Sequence, residues 1–254
     1  DASETFTITV VEINDPPFLS GDVADLSLNE DDSTVFVDVL AEFDDPDQFL
    51  TLGRLLGRLH AVGAMRPFEH RPALTPQAFG RDSLAVLERV GCVPDSLKPA
   101  YFSVARDLLE RVEAIFGDVP FRPIRLHGDL HLGNLLWRDD LLYMVDLDDC
   151  RSGPAMQDLW MMLSGERDQR QAQLSELVDG YNEFHDFDPR QLPLIEPLRS
   201  LRLVHYSAWL ASRWDDPAFP MHFPWFASER YWADQVLTLR EQRAALDEAP
   251  LRLF

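Results

Sequence analysis

His127-Gly128-Asp129-Leu130-His131-Leu132-Gly133-Asn134, with Val145-Asp146-Leu147-Asp148-Asp149 a few residues on, is the stretch on which the fold turns. Between its halves lie two apolar runs, Asn134-Leu135-Leu136-Trp137-Arg138 and Leu141-Leu142-Tyr143-Met144-Val145-Asp146, separated by Asp139 and Asp140. Two runs of strand-forming residues around a two-residue polar break read as a hairpin. Three groups then stand at its base. Asp129 offers a carboxylate, Asn134 an amide oxygen and Asp146 a second carboxylate.

Those residue types suit phosphoryl transfer. Moving a γ-phosphoryl from ATP requires an in-line hydroxyl, a group that takes or orients that hydroxyl's proton, and Mg²⁺ to neutralise the phosphate oxygens. Asp129 is the candidate catalytic acceptor. Asn134 and Asp146 supply hard oxygen ligands for Mg²⁺, and Asp146 thereby belongs to both the catalytic and the metal set. H-x-D-x-x-x-x-N, a hairpin and then Asp is the spacing of a kinase catalytic loop and metal loop. His127 and His131, four apart, could be read as a zinc pair, but Gly128 and Gly133 disfavour a helix and no Glu follows the first His. His127 is expected to pack under the loop. Asp158, in Gln157-Asp158-Leu159-Trp160, is either an anchor of that loop from below or an ordinary helix-start carboxylate.

Outward from the hairpin the period is helical. Phe49, Leu52, Leu55, Leu56, Leu59 and Val62 recur at helix spacing, with Gly53 and Gly57 one turn apart where a second helix could approach closely. Val104, Leu108, Leu109, Val112, Ile115 and Phe116 repeat the pattern, and further helices are expected near 155–164, 168–184, 194–213 and 228–246. The aromatic group Trp209, Trp214, Phe219, Phe223, Trp225, Phe226, Tyr231 and Trp232 reads either as helix-packing core or as the wall of an acceptor cleft.

The first 47 residues differ. They hold 14 of the chain's 44 acidic residues and none of its 23 Lys and Arg, the first basic residue being Arg54. Phe6, Ile8 and Val10, then Leu26 and Leu28, then Val35, Val37 and Val39 alternate as short strands, too few to close a sandwich. The expected fold is α+β: an incomplete β segment over residues 1–47, followed by a mainly helical lobe with a small β-hairpin over residues 48–254. A net charge of −21 in 254 residues would repel phosphate backbones and anionic bilayers, so neither nucleic acid nor a membrane is an expected partner. Two cysteines, Cys92 and Cys150, make no disulfide framework and fit a reducing compartment. Beginning at Asp1-Ala2-Ser3, the chain is expected to be a processed, trimmed or joined product.

Residues 48–254 resemble the C-terminal lobe of the aminoglycoside-phosphotransferase superfamily, a lobe of protein-kinase type. The closer likeness is to the bacterial stress-response Ser/Thr protein kinase branch. It is carried by Leu52-Gly53-Arg54-Leu55-Leu56-Gly57-Arg58-Leu59-His60, Leu126-His127-Gly128-Asp129, Asp146-Leu147-Asp148-Asp149 and Trp214-Asp215-Asp216-Pro217-Ala218-Phe219-Pro220. The resemblance implies an ATP- and Mg²⁺-dependent cytoplasmic kinase with Asp129 as catalytic acceptor and Asn134 and Asp146 as metal ligands. Its acceptor would be a protein Ser/Thr or a small-molecule hydroxyl. Such kinases place a phosphate-covering loop and a phosphate-pairing Lys ahead of this lobe, whereas residues 1–52 contain one glycine, Gly21, and the only Lys of the chain is Lys98. The nucleotide-binding N-terminal lobe is therefore expected to be missing.

In its place, Glu12-Ile13-Asn14-Asp15-Pro16-Pro17-Phe18, Asn29-Glu30-Asp31-Asp32 and Asp44-Asp45-Pro46-Asp47 are similar to a cadherin-like repeat junction, which implies Ca²⁺ ligands in residues 1–47. A solvated acidic tail is the alternative for that segment. For the whole chain the alternatives are a calcium-binding adhesion fragment and an inactive fusion of two genes.

Overall fold

In a computed structural model the described residues are 46–138 and 141–254. The expected strands at 6–10, 26–28 and 35–39, and the proposed Ca²⁺ ligands before residue 46, lie outside them. Helix α1 (Pro46–Gly63) starts two residues ahead of the expected boundary. Pro46 at its first position and Asp47 in its first turn are both helix-start residues.

Helix α1 buries Phe49, Leu52 and Leu56 against α5 (Arg167–Asn182), which contributes Leu174, Leu177, Val178 and Tyr181. Glycines set the separation of the two helices. A Cβ on Gly53 would lie 2.0 Å from the Leu177 carbonyl oxygen, one on Gly57 2.5 Å from that of Tyr181, and one on Gly180 2.1 Å from that of Leu50. This is the close approach that the one-turn glycine spacing predicts.

A second layer joins α3 (Lys98–Asp118), α6 (Ile195–Ser212) and α8 (Glu229–Ala245) around buried Tyr101, Leu108, Leu109, Leu201, Trp232 and Leu239. Against α6 packs a unit that the apolar period does not reveal: a π-helical turn, Pro76–Arg81, running directly into α2 (Asp82–Val90). Thr75 Oγ1 caps its start by accepting from the Ala78 amide at 3.1 Å, and Gly91, at φ 71°, ends it. Gly80 lets the turn close on Leu109 and Leu201.

Two small antiparallel sheets accompany the helices, each with a strand against α1. Strand β1 (Ile124–Leu126) pairs with β4 (Arg151–Gly153), and Ala73 adds a parallel bridge to Ser152. Strands β2 (Leu135–Arg138) and β3 (Leu141–Met144) form the expected hairpin in the register Leu135↔Met144 and Leu136↔Tyr143. Helix α4 is one turn, Gln157–Trp160, shorter than the expected 155–164. Gly165, at φ 81°, stops the segment, and Glu166 opens α5 with a capping box. The aromatic group forms a chain of ring contacts through α6, α7 (Ala218–His222) and α8, from Trp209–Phe219 at 5.2 Å to Phe226–Trp232 at 5.2 Å, which is the packing alternative.

Candidate active site

The loop after β1 is held from beneath by one carboxylate. Asp158, fully buried on α4, accepts the backbone amides of His127 at 2.7 Å and Gly128 at 2.9 Å. It also meets His60 Nε2 at 2.9 Å, while His60 Nδ1 lies 2.8 Å from the Tyr181 hydroxyl. Burial, and then the charge of Asp158, raise the Tyr181 pKa, so the phenol keeps its proton. One carboxylate thereby ties the loop to α1 and, through His60, to α5. Of the two readings of Asp158, the anchor is the one observed.

His127 is buried under the loop and donates from Nε2 to the Val145 carbonyl at 2.8 Å, a packing role as expected. Gly128, at φ 92°, must be glycine, because a Cβ there would stand 2.3 Å from the Asp149 carbonyl oxygen. Gln157 Nε2 donates to the Gly128 carbonyl at 3.0 Å.

Above this base stand the three groups read from the sequence. Asn134 Nδ2 donates to the Asp129 carbonyl at 2.9 Å, which leaves the Asn134 side-chain oxygen as the atom available to a cation. The Val145 amide donates to the Asn134 carbonyl at 3.0 Å, carrying the β2–β3 ladder one step further and setting Asn134 and Asp146 at the same end of the hairpin. Asp146 is the single non-glycine residue at positive φ among the described residues, at φ 60° and ψ 68°, and it is exposed. Backbone strain of this kind concentrates at functional sites. The zinc alternative has no support, since His131 points to its own loop and accepts the Gly133 amide at 3.1 Å.

Among the described residues no three His, Cys, Asp or Glu side chains form a metal cluster. The Asn134–Asp146 pair is a different donor set, one amide oxygen and one carboxylate. That suits Mg²⁺, which keeps waters and substrate phosphates in its shell.

Arginine and histidine side chains lie near the Asp129 carboxylate. Arg202, from α6, donates from Nη1 to Asp129 Oδ1, while His131 Nε2 lies 3.8 Å from Oδ2. Arg151 is buried over the Phe79 ring at 4.6 Å and donates to the Asp149 carbonyl at 2.7 Å and to Asp149 Oδ1 at 2.5 Å. Burial lowers the Arg151 pKa, with Asp149 and Asp129 opposing. His205, one turn past Arg202, stacks on Phe79 at 4.1 Å and lies with Nδ1 2.9 Å from Ser83 Oγ. Burial, then Arg151 and Arg202, lower its pKa to about 4. Arg71 reaches the metal loop and donates to the Asp148 carbonyl. Sequence reasoning did not single out Arg202, Arg151, His205 or the role of His60. For His60 alone there was a local signal, a polar residue on the apolar face of α1.

Comparison with known proteins gives a consistent picture. The profile of a phosphotransferase enzyme family matches residues 30–195. Stress response kinase A of Escherichia coli K12 is 44% identical over 212 residues, covering 84% of this chain and 64% of that protein. The serine/threonine protein kinase RdoA of Salmonella typhimurium LT2 is 45% identical with the same coverage. The chain thus spans 64% of the length of these relatives. Among solved structures, amicoumacin kinase hAmiN in complex with AMP-PNP, Ca²⁺ and Ami superimposes with a TM-score of 0.54 at 17% identity, over 83% of this chain and 62% of that one. A microcompartment-associated aminopropanol kinase gives 0.53 at 21% identity, over 83% and 65%. At such identities the structural likeness concerns the fold alone, and it agrees with the helical α+β lobe expected from the sequence.

Proposed function

The chain belongs to the phosphotransferase enzyme family, and from that premise we propose that it carries the catalytic-loop and metal half of an ATP- and Mg²⁺-dependent kinase acting on a protein Ser/Thr hydroxyl. The protein acceptor follows the name of the Salmonella relative. The observation that carries the reading is the shared end of the hairpin, where the Asn134 amide is spent on the Asp129 carbonyl and the ladder delivers Asp146 beside it.

In this reading the Asp129 carboxylate orients the acceptor hydroxyl and takes its proton as the phosphoryl is transferred. The Asn134 side-chain oxygen and the Asp146 carboxylate would hold Mg²⁺, which would supply charge neutralisation at the phosphate oxygens. The anchor beneath the loop keeps Asp129 in register with both ligands. Positioning of this kind is most of what a phosphotransferase contributes.

The phosphate-pairing Lys has no counterpart in residues 1–47, and Lys98, at the start of α3, pairs with Asp95 at 2.6 Å. Each missing electrostatic donor costs roughly 10² to 10³ in rate, so this chain on its own is expected to be slower than a two-lobed kinase by ~10⁴ or more. The test is γ-phosphoryl transfer to a generic Ser/Thr protein, run beside a chimera in which a family-type N-terminal lobe replaces residues 1–47. The chimera should be far faster, and Asp129→Ala should abolish its activity. Transfer that survives Asp129→Ala would remove the assignment of Asp129.

A further inference from the structure

We propose that Arg202 is the positioning residue of the catalytic carboxylate: from α6 it holds Oδ1 of Asp129 and leaves Oδ2 turned toward the acceptor hydroxyl. The proposal rests on the kinase reading above and adds to it a residue from outside the catalytic and metal loops.

A carboxylate on a short side chain has a broad, roughly two-fold terminal torsion, so nothing in Asp129 itself decides which oxygen meets the acceptor. The decision comes from its partners. Oδ1 accepts from Arg202 Nη1, whereas Oδ2 stands 3.8 Å from His131 Nε2, beyond hydrogen-bond reach. The backbone on either side is fixed independently, by Asp158 on the amides of residues 127 and 128 and by Asn134 on the Asp129 carbonyl. The orientation of the carboxylate is then the remaining freedom, and Arg202 removes it.

The other charged and titratable neighbours are engaged elsewhere. Arg151 is committed to Asp149 through both its Nε and a terminal nitrogen. His205 faces Ser83. Arg202 also starts from a rigid place, since its neighbours on α6, Leu198, Leu201 and Val204, are all buried in the core. A guanidinium launched from a packed helix sets a partner's position more tightly than one on a loop. With side chains about one-fifth exposed, 21% for Arg202 and 24% for Asp129, the pair is shielded yet open to a substrate.

The experiment uses the full chain and two independent readouts. The ¹³Cγ signal of Asp129, assigned by its loss in Asp129→Asn, should move in Arg202→Ala and stay in place in Arg213→Ala, a change just past the end of the same helix. Transfer by Arg202→Ala should show kcat lower by about 10², with KM for ATP within about twofold. Methylguanidinium should restore about tenfold of the loss, and Arg202→Lys should lie between. An unmoved Asp129 signal overturns the proposal. So does an unchanged or increased kcat, which would make the pair a latch rather than a support, or a loss that methylguanidinium cannot restore. If the unaltered chain and its two-lobed chimera transfer no phosphoryl group while the Asp129 signal still moves, the kinase reading fails and the pairing stands.

Discussion

His205 shows how one half-buried ring can record the charge around the site. It is held among Arg151, Arg202, Asp129 and Arg213 with its ring on Phe79, and folding lowers its pKa from the usual 6.5 to about 4. Between those two values the unfolded chain binds the extra proton and the folded chain does not. Stability from this residue is therefore complete above about pH 6.5, declines as the pH falls toward 4, and changes no further below that. The whole effect is on the order of 3 kcal/mol. Replacing His205 by Phe keeps the stacking on Phe79 and removes the proton site, so urea unfolding from pH 7 to 4 should lose that much of its pH dependence. An identical slope in both proteins would show that the ring titrates normally in the folded chain. At this scale the meeting of Asp129, Asn134 and Asp146 at one end of the hairpin was legible from their short spacings, while the roles given to them are the proposal made above. Arg202 was not, because it reaches Asp129 from 73 residues away, a separation on which no local pattern reports, and the place of His60 on the apolar face of α1 marks it as buried without naming Asp158, 98 residues on, as its partner.

The α1–α5 contact turns on atoms that are absent. Alanine in place of glycine inside a helix gains about 1 kcal/mol in propensity, yet at Gly53 the added carbon would meet a backbone oxygen at 2.0 Å, which cannot swing aside as a side chain can. Gly53→Ala is expected to cost roughly 2 kcal/mol or more in urea unfolding. Gly117→Ala, near the end of α3 with nothing within 4 Å, should stabilise by about 0.5–1 kcal/mol. If both changes move the midpoint the same way, propensity rather than helix separation governs the contact. Long periodic helices and the hairpin could be read in advance because period and turn chemistry agree over many residues. Residues 76–90 were missed because Pro76 and Gly80 interrupt the apolar spacing, although the π-turn absorbs both. The three-residue strands β1 and β4 are too short to show alternation, and their pairing is settled only in the folded chain.

Across the whole molecule, the site is assembled from parts of the chain that share no local signal: His60 on α1, the loop after β1, Asp158 on α4 and Arg202 on α6. The fold class was legible because the long helices are strongly periodic and the hairpin carries its own turn chemistry, whereas β1, β4 and α4, which hold the loop, are too short to show a period. The unit boundary read at residue 48 falls just inside α1, and the division into two units stays a proposal drawn from charge and composition. A consequence of the Asp158 anchor follows for hydrogen exchange. Loop amides ordinarily trade their protons with water within local openings of small free energy. Those of His127 and Gly128 donate to a carboxylate with no solvent exposure that is also held by His60 of α1, so they are released only when α1, α4 and the loop come apart together. Their exchange should match that of the slowest amides of α3 and α6, within about 1 kcal/mol of global unfolding. Exchange as fast as at the exposed turn 147–149 would mean that the loop lifts off Asp158 on its own. If they match, the loop stays where the core puts it, and any movement that opens the site is made by other parts of the protein.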